Sequence, residues 1–142
     1  MPLARNALHN LPHAITVWIT GSKNVVPEIM EKSMIISNLK INVAPERREA
    51  ILDILYSLLE PTRVIPGCIG CNLYQDMENE NVLFYSEIWQ DQPALDRHIL
   101  SDLYRSILFA MDMGTEPPEI EFKRVSHCFG MEIIEALRHQ SN

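Results

Sequence analysis

The sequence predicts an α+β domain with the element order βαββαβ. Three observations predict it. An early strand-like run is followed by a helix with one apolar face. Two further strand-like runs are separated by a wholly polar stretch. A second amphipathic helix then leads through prolines into a last strand.

Residues 34–42, Met-Ile-Ile-Ser-Asn-Leu-Lys-Ile-Asn, alternate as a strand does, with Leu39 and Ile41 on one face and Asn38 and Lys40 on the other. Pro45 marks a helix start, where its missing N–H would have had no partner anyway. Ile51, Ile54, Leu55 and Leu58 follow at spacings of three and four and give that helix one buried face. Glu60-Pro61 is expected to close it, because the residue before a proline is biased away from helical backbone.

Pro66-Gly67 opens the second strand, over 69–75, and the polar run 76–81 reads as a hairpin loop. The third strand, 82–89, is aromatic and aliphatic. Asp91 is suited to cap the next helix, its carboxylate accepting from a first-turn N–H. That helix carries Leu95 and Ile99 inward with His98 beside them. It breaks near Ser101 and resumes through Tyr104, Ile107, Leu108 and Met111, and Gly114 and Pro117-Pro118 end it. The last strand covers 120–126.

This order is the ferredoxin-like split unit, whose sheet packs one face on its helices. The other face is uncovered in a monomer, so a homodimer joined through the sheets is expected. Residues 1–33 hold a β-prone run, Ala-Ile-Thr-Val-Trp-Ile-Thr over 14–20, read as an arm or extra edge strand. Ile133, Ile134 and Leu137 stand at helical spacing within 131–138, which reads as a short terminal helix docked on the body. The expected organisation is an extension over 1–33, a domain over 34–127 and a helical extension over 128–142.

At 142 residues the chain suits one domain with a real core. Its net charge of −7 and the lack of a basic stripe (Arg47-Arg48 is flanked by Glu46 and Glu49) argue against a nucleic-acid partner. No apolar run approaches the roughly 18–20 residues that span a bilayer. The N-terminal region, with Arg5, His9, Pro12 and His13, lacks the apolar stretch and cleavage site of a secretory signal, so the cytoplasm is the expected location.

Three cysteines are an odd count and disfavour a disulfide framework. Cys68 and Cys71 form a C-x-x-C, but in a strand residues three apart point to opposite faces. Redox pairs of this kind usually start a helix. Buried, reduced thiols are therefore expected ahead of a redox or metal-binding pair. His9, His13, His127 and His139 are scattered without metal-ligand spacing, and no glycine-rich phosphate loop is present.

Several motifs occur together and in order: Pro66-Gly67-Cys68-x-Gly70 on the second strand, Glu87-x-Trp89 on the third, His98 four residues after Ala94, and Pro117-Pro118-Glu119-Ile120 before the last strand. In this arrangement residues 34–126 resemble the antibiotic biosynthesis monooxygenase family, nearest to its quinol-oxidising members. The resemblance implies a dimeric α/β barrel and a cavity between sheet and helices. It also implies oxidation of a quinol or hydroxylated polycyclic aromatic by dioxygen with no cofactor and no metal. Such chemistry needs a flat apolar site, a proton acceptor and exclusion of water. His98 is the candidate proton acceptor, since its ordinary pKa lies near neutrality. Asn38 is a candidate donor to a substrate carbonyl or oxyanion. Trp89, Tyr74 and Tyr85 are candidate substrate surfaces.

Each has a structural competitor. His98 suits a boundary residue bonded to the backbone, Trp89 a core residue, and Glu87, on the same strand face as Trp89, a structural carboxylate paired with His98 or an arginine. The family's haem-degrading branch fits poorly. Asn38 matches its asparagine, but its tryptophan is matched by His98 and its iron-ligating histidine falls near Leu108. The alternative to an enzyme is a non-catalytic dimeric module that binds a small apolar ligand or a protein partner.

Overall fold

The structure is a computed structural model and describes residues 32–141. β1 (Met34–Asn42) leads into α1 (Pro45–Ser57) and the short α2 (Leu59–Arg63). β2 (Cys68–Gln75) and β3 (Val82–Trp89) follow, then α3 (Gln92–Ile99), α4 (Asp102–Asp112), β4 (Glu119–Val125) and α5 (Met131–Gln140). The strands form one antiparallel sheet in the order β2-β3-β1-β4. The βαββαβ plan is therefore present, with the two central strands contributed by β1 and β3. The β-prone run at 14–20 lies outside the described residues.

Alternation assigns the faces. Ile35, Ser37, Leu39 and Ile41 of β1 and Leu83, Tyr85, Glu87 and Trp89 of β3 are buried toward the helices. Opposite them, α1 contributes Ile51 and Leu55, and α4 contributes Tyr104, Ile107 and Ala110. A smaller cluster of Ile35, Trp89, Ala94 and Leu95 seats α3 on the end of the sheet. Leu108, expected on the inward face, is 43% exposed, because α4 turns Tyr104, Ile107 and Ala110 toward the core instead.

Caps and turns follow local chemistry. Asp91 Oδ1 accepts from Ala94 N at 2.9 Å at the head of α3, and Ser101 Oγ accepts from Tyr104 N at 3.4 Å at the head of α4. The break between the two helices therefore falls at Leu100–Ser101. Pro61 does not end the helical segment. The chain kinks at Leu58 and restarts, so Pro61 occupies the first turn of α2, where backbone N–H groups have no intrahelical acceptor.

Gly67 fixes how α3 meets the start of β2. Its φ is +91°, a region that favours glycine, and a Cβ there would lie 2.6 Å from the Ala94 Cβ. Its carbonyl accepts from Gln90 N at 2.8 Å, which joins the entry to β2 to the exit from β3. α5 forms where helical spacing indicated, but among the described residues nothing covers its apolar side: none of its residues is buried, and Ile133, Ile134 and Leu137 are exposed.

Candidate functional site

The sheet divides the five candidate residues. Antiparallel partners share a face, and Asn38 stands opposite Ser86, Leu73 opposite Tyr85, and Tyr74 opposite Phe84. His98, Trp89 and Tyr85 therefore lie on the helix side, and Asn38 and Tyr74 on the open side.

On the helix side, Glu87 holds two partners at once. One carboxylate oxygen, Oε1, is 2.9 Å from His98 Nε2, and the other, Oε2, accepts from Trp89 Nε1 at 3.0 Å. All three side chains are essentially inaccessible: Trp89 is 0%, Glu87 1% and His98 1% exposed. The His98 ring lies against Trp89, centroids 4.6 Å apart, and the edge of Tyr104 meets it at 5.3 Å. A carboxylate only accepts, so Nε2 is the donating nitrogen and the lone pair of the neutral ring sits on Nδ1. Nδ1 is buried and has no hydrogen-bond partner among the described residues. The result is an imidazole oriented by a carboxylate at one nitrogen and unengaged at the other.

On the same face, Cys71 stands opposite Glu87 and its Sγ donates to Tyr85 Oη at 3.1 Å. Burial pushes the Cys71 thiol up to about 11 and Tyr104 up to about 12, the latter helped by the charge of Glu87. Tyr85 is also raised, first by burial and then by its bond to Cys71. These groups bind protons more tightly when folded. Their stabilising contribution is complete below the unfolded values of 9 for Cys71 and 10 for Tyr104, and is lost as pH climbs through the folded ones. The urea midpoint is therefore expected to fall as pH rises from 9 toward 11, and to fall less steeply in Cys71→Ala. A flat profile over that range would contradict this.

On the open side, Asn38, Lys40, Tyr74, Phe84, Ser86, Glu119 and Glu121 line a concave pocket of about 480 Å³. Ser86 Oγ donates to Asn38 Oδ1 at 2.9 Å, and Lys40 pairs with Glu119 at 3.6 Å. Strand alternation placed Asn38 on the face away from Leu39, but one strand alone does not say which face meets the helices. Ser86 and Phe84 were not singled out from sequence, although the same alternation along β3 puts both opposite to Glu87. Tyr104 was placed on the inward stripe, and its contact with His98 appears only once α3 and α4 are packed together.

Residues 34–108 match the model of the antibiotic biosynthesis monooxygenase family. The chain belongs to that family. Within the known structures, a conserved protein from Methanosarcina mazei Go1 is 31% identical with a TM-score of 0.61, over 67% of this chain and 95% of that one. A structure described as an antibiotic biosynthesis monooxygenase is 20% identical with a TM-score of 0.60, over 66% of this chain and 99% of its own, and so shares the fold. An uncharacterized protein of Synechocystis sp., sll1783, is 28% identical over 87 residues, 61% of this chain. The chain spans 59% of the length of that relative. Among its described residues, no helix is long and apolar enough to cross a membrane.

Proposed function

We propose that this family member is a cofactor-independent monooxygenase that oxidises a quinol or hydroxylated polycyclic aromatic with dioxygen, with His98 as its proton acceptor. The observation that carries the reading is the buried imidazole held by Glu87 at Nε2 and unpartnered at Nδ1. A phenolic O–H gives its proton to Nδ1, and Glu87 stabilises the imidazolium that forms. The electron-rich anion passes an electron to dioxygen, and recombination makes the new C–O bond. Loss of water then leaves one oxygen atom in the product. Trp89, against the His98 ring, and Tyr85, on the same sheet face, supply flat surfaces. Because His98 is enclosed, substrate reaches Nδ1 only when α3 or α4 moves off the sheet. The break at Leu100–Ser101 supplies a joint for that motion.

The test is oxygen uptake by the metal-free protein with a panel of quinols and anthrone-like phenols under ¹⁸O₂. Uptake above the uncatalysed rate, with one labelled atom in the product, is the expected result. The reading fails if every member of the panel is consumed only at the uncatalysed rate.

The same reading makes the protein a cytoplasmic homodimer whose second copy covers the open sheet face, with 34–127 as the catalytic domain and 1–33 and 128–142 as extensions. Ile36 and Ile88 stand opposite one another on that face, an apolar pair between Gly70 and Lys123 and beside the polar pocket. Ile88→Glu is expected to convert the dimer to monomer in sedimentation equilibrium, because a desolvated, unpaired charge at an interface is strongly disfavoured. A wild-type monomer, or an Ile88→Glu protein that remains dimeric, would overturn this arrangement.

One observation favours a second reading. The 480 Å³ pocket pairs the rings of Tyr74 and Phe84 with the amide of Asn38, away from His98. A non-catalytic module would hold a small apolar ligand there. Binding that is lost in Tyr74→Ala and unchanged in His98→Ala would select it.

A further inference from the structure

Strand β2 starts with an irregularity. Cys68 stands opposite Trp89, Gly70 opposite Ile88 and Cys71 opposite Glu87, so Ile69 is an extra residue against β3. Without it, Cys68 and Cys71 would face opposite sides of the sheet, as the sequence pattern suggested. The bulge corrects that expectation, because Trp89 and Glu87 share the helix-facing side and each cysteine is opposite one of them. Ile69 is turned out to solvent instead. Cys71 is buried, and half-buried Cys68 packs against the cluster that contains it.

We propose that Cys68 and Cys71 are a reversible dithiol–disulfide pair, oxidised by a hydroperoxide, in the wall of the Glu87–His98 cluster. The two cysteines cover the two-residue step between Trp89 and Glu87, about 6.6 Å of strand. That lies at the upper end of the roughly 4.4–6.8 Å Cα separations a disulfide bridges. A bond formed there is strained and easily reduced, a property of switching disulfides rather than structural ones. Cys68, the more accessible thiol, attacks the peroxide O–O bond. One oxygen is retained as a sulfenic acid, and the other leaves as water or alcohol. Cys71 then attacks the sulfenic sulfur and expels hydroxide, which takes up the released proton as water. Two thiols are oxidised and one peroxide is reduced. Burial raises both thiols above their ordinary value, with Glu87 adding to the effect and Arg63 opposing it, so the reaction is slow near neutrality.

Disulfide formation removes the Cys71 donor from Tyr85 and shifts β2 where it faces Glu87. This regulatory consequence rests on the monooxygenase reading, whereas the disulfide itself does not. The experiment uses the full chain with Cys128→Ser, which removes the exposed third thiol. After hydrogen peroxide treatment, unfolding and alkylation, the expected protein is two hydrogens lighter and carries no label at either cysteine. Dithiothreitol restores both labels. Adding Cys68→Ser leaves Cys71 labelled. The pair is disproved if both thiols are still alkylated while Cys128 in the parent chain is oxidised. It is equally disproved if each cysteine gains oxygen without the loss of two hydrogens. A disulfide that forms but leaves oxygen uptake by an active enzyme unchanged would overturn the regulatory role alone.

Discussion

Glu87→Ala is expected to destabilise the protein by about 3–5 kcal/mol, the range for removing one member of a buried pair. The carboxylate satisfies two donors that have no other acceptor among the described residues, His98 Nε2–H and Trp89 Nε1–H. Alanine leaves both N–H groups buried and unpaired, each costing about 1–3 kcal/mol, and opens a cavity besides. Glu87→Gln separates stability from chemistry. Its amide NH₂ can face His98 only if Nε2 becomes the acceptor, which moves the ring proton to Nδ1 and removes the base. Urea unfolding is expected to show a smaller loss for Gln than for Ala, while oxygen uptake falls in both. A Glu87→Ala protein as stable as wild type would mean that the cluster is solvated and the site misread.

Trp89→Ala is expected to cost a similar amount, about 3–5 kcal/mol, because a fully enclosed indole is deleted from the cluster that seats α3 on the sheet. The same change frees Glu87 Oε2 and removes one wall of the His98 ring. Trp89→Phe keeps most of the packing and loses only the N–H donor. Thermal unfolding is expected to place Phe well above Ala. An Ala variant within about 1 kcal/mol of wild type would show that the indole is not core, since large aromatic truncations in packed interiors rarely cost so little.

Much of this was legible in sequence because it is written in short-range patterns. Leu39 and Ile41 against Asn38 and Lys40, the Asp91 cap and the Ser101 break all depend on neighbours within one turn or one strand step, and each appears in the structure. The likeness to the monooxygenase family came from motif order, and the family match covers residues 34–108. What escaped depends on register or on packing between elements. One extra residue at Ile69 brings Cys68 and Cys71 onto one face, and no local preference announces it. Pro61 looked like a stop because its helix was read as continuous, when the restart at Leu58 puts it in a first turn. The helix at 131–140 was legible as a helix, but its partner was not, since amphipathic spacing says that a face is apolar and not what meets it. For the same reason Asn38 and His98 could both be named as candidates without any local sign that the sheet lies between them.

The most direct test of the central claim compares dioxygen consumption by wild type and His98→Ala, on a quinol or anthrone that the wild type turns over, with both proteins shown to be folded by near-UV circular dichroism. Loss of a positioned general base predicts a drop of about 10²–10⁴-fold in kcat. Consumption by a folded His98→Ala protein at the wild-type rate would contradict the account, because the proton would then go to a group other than the imidazole that Glu87 holds.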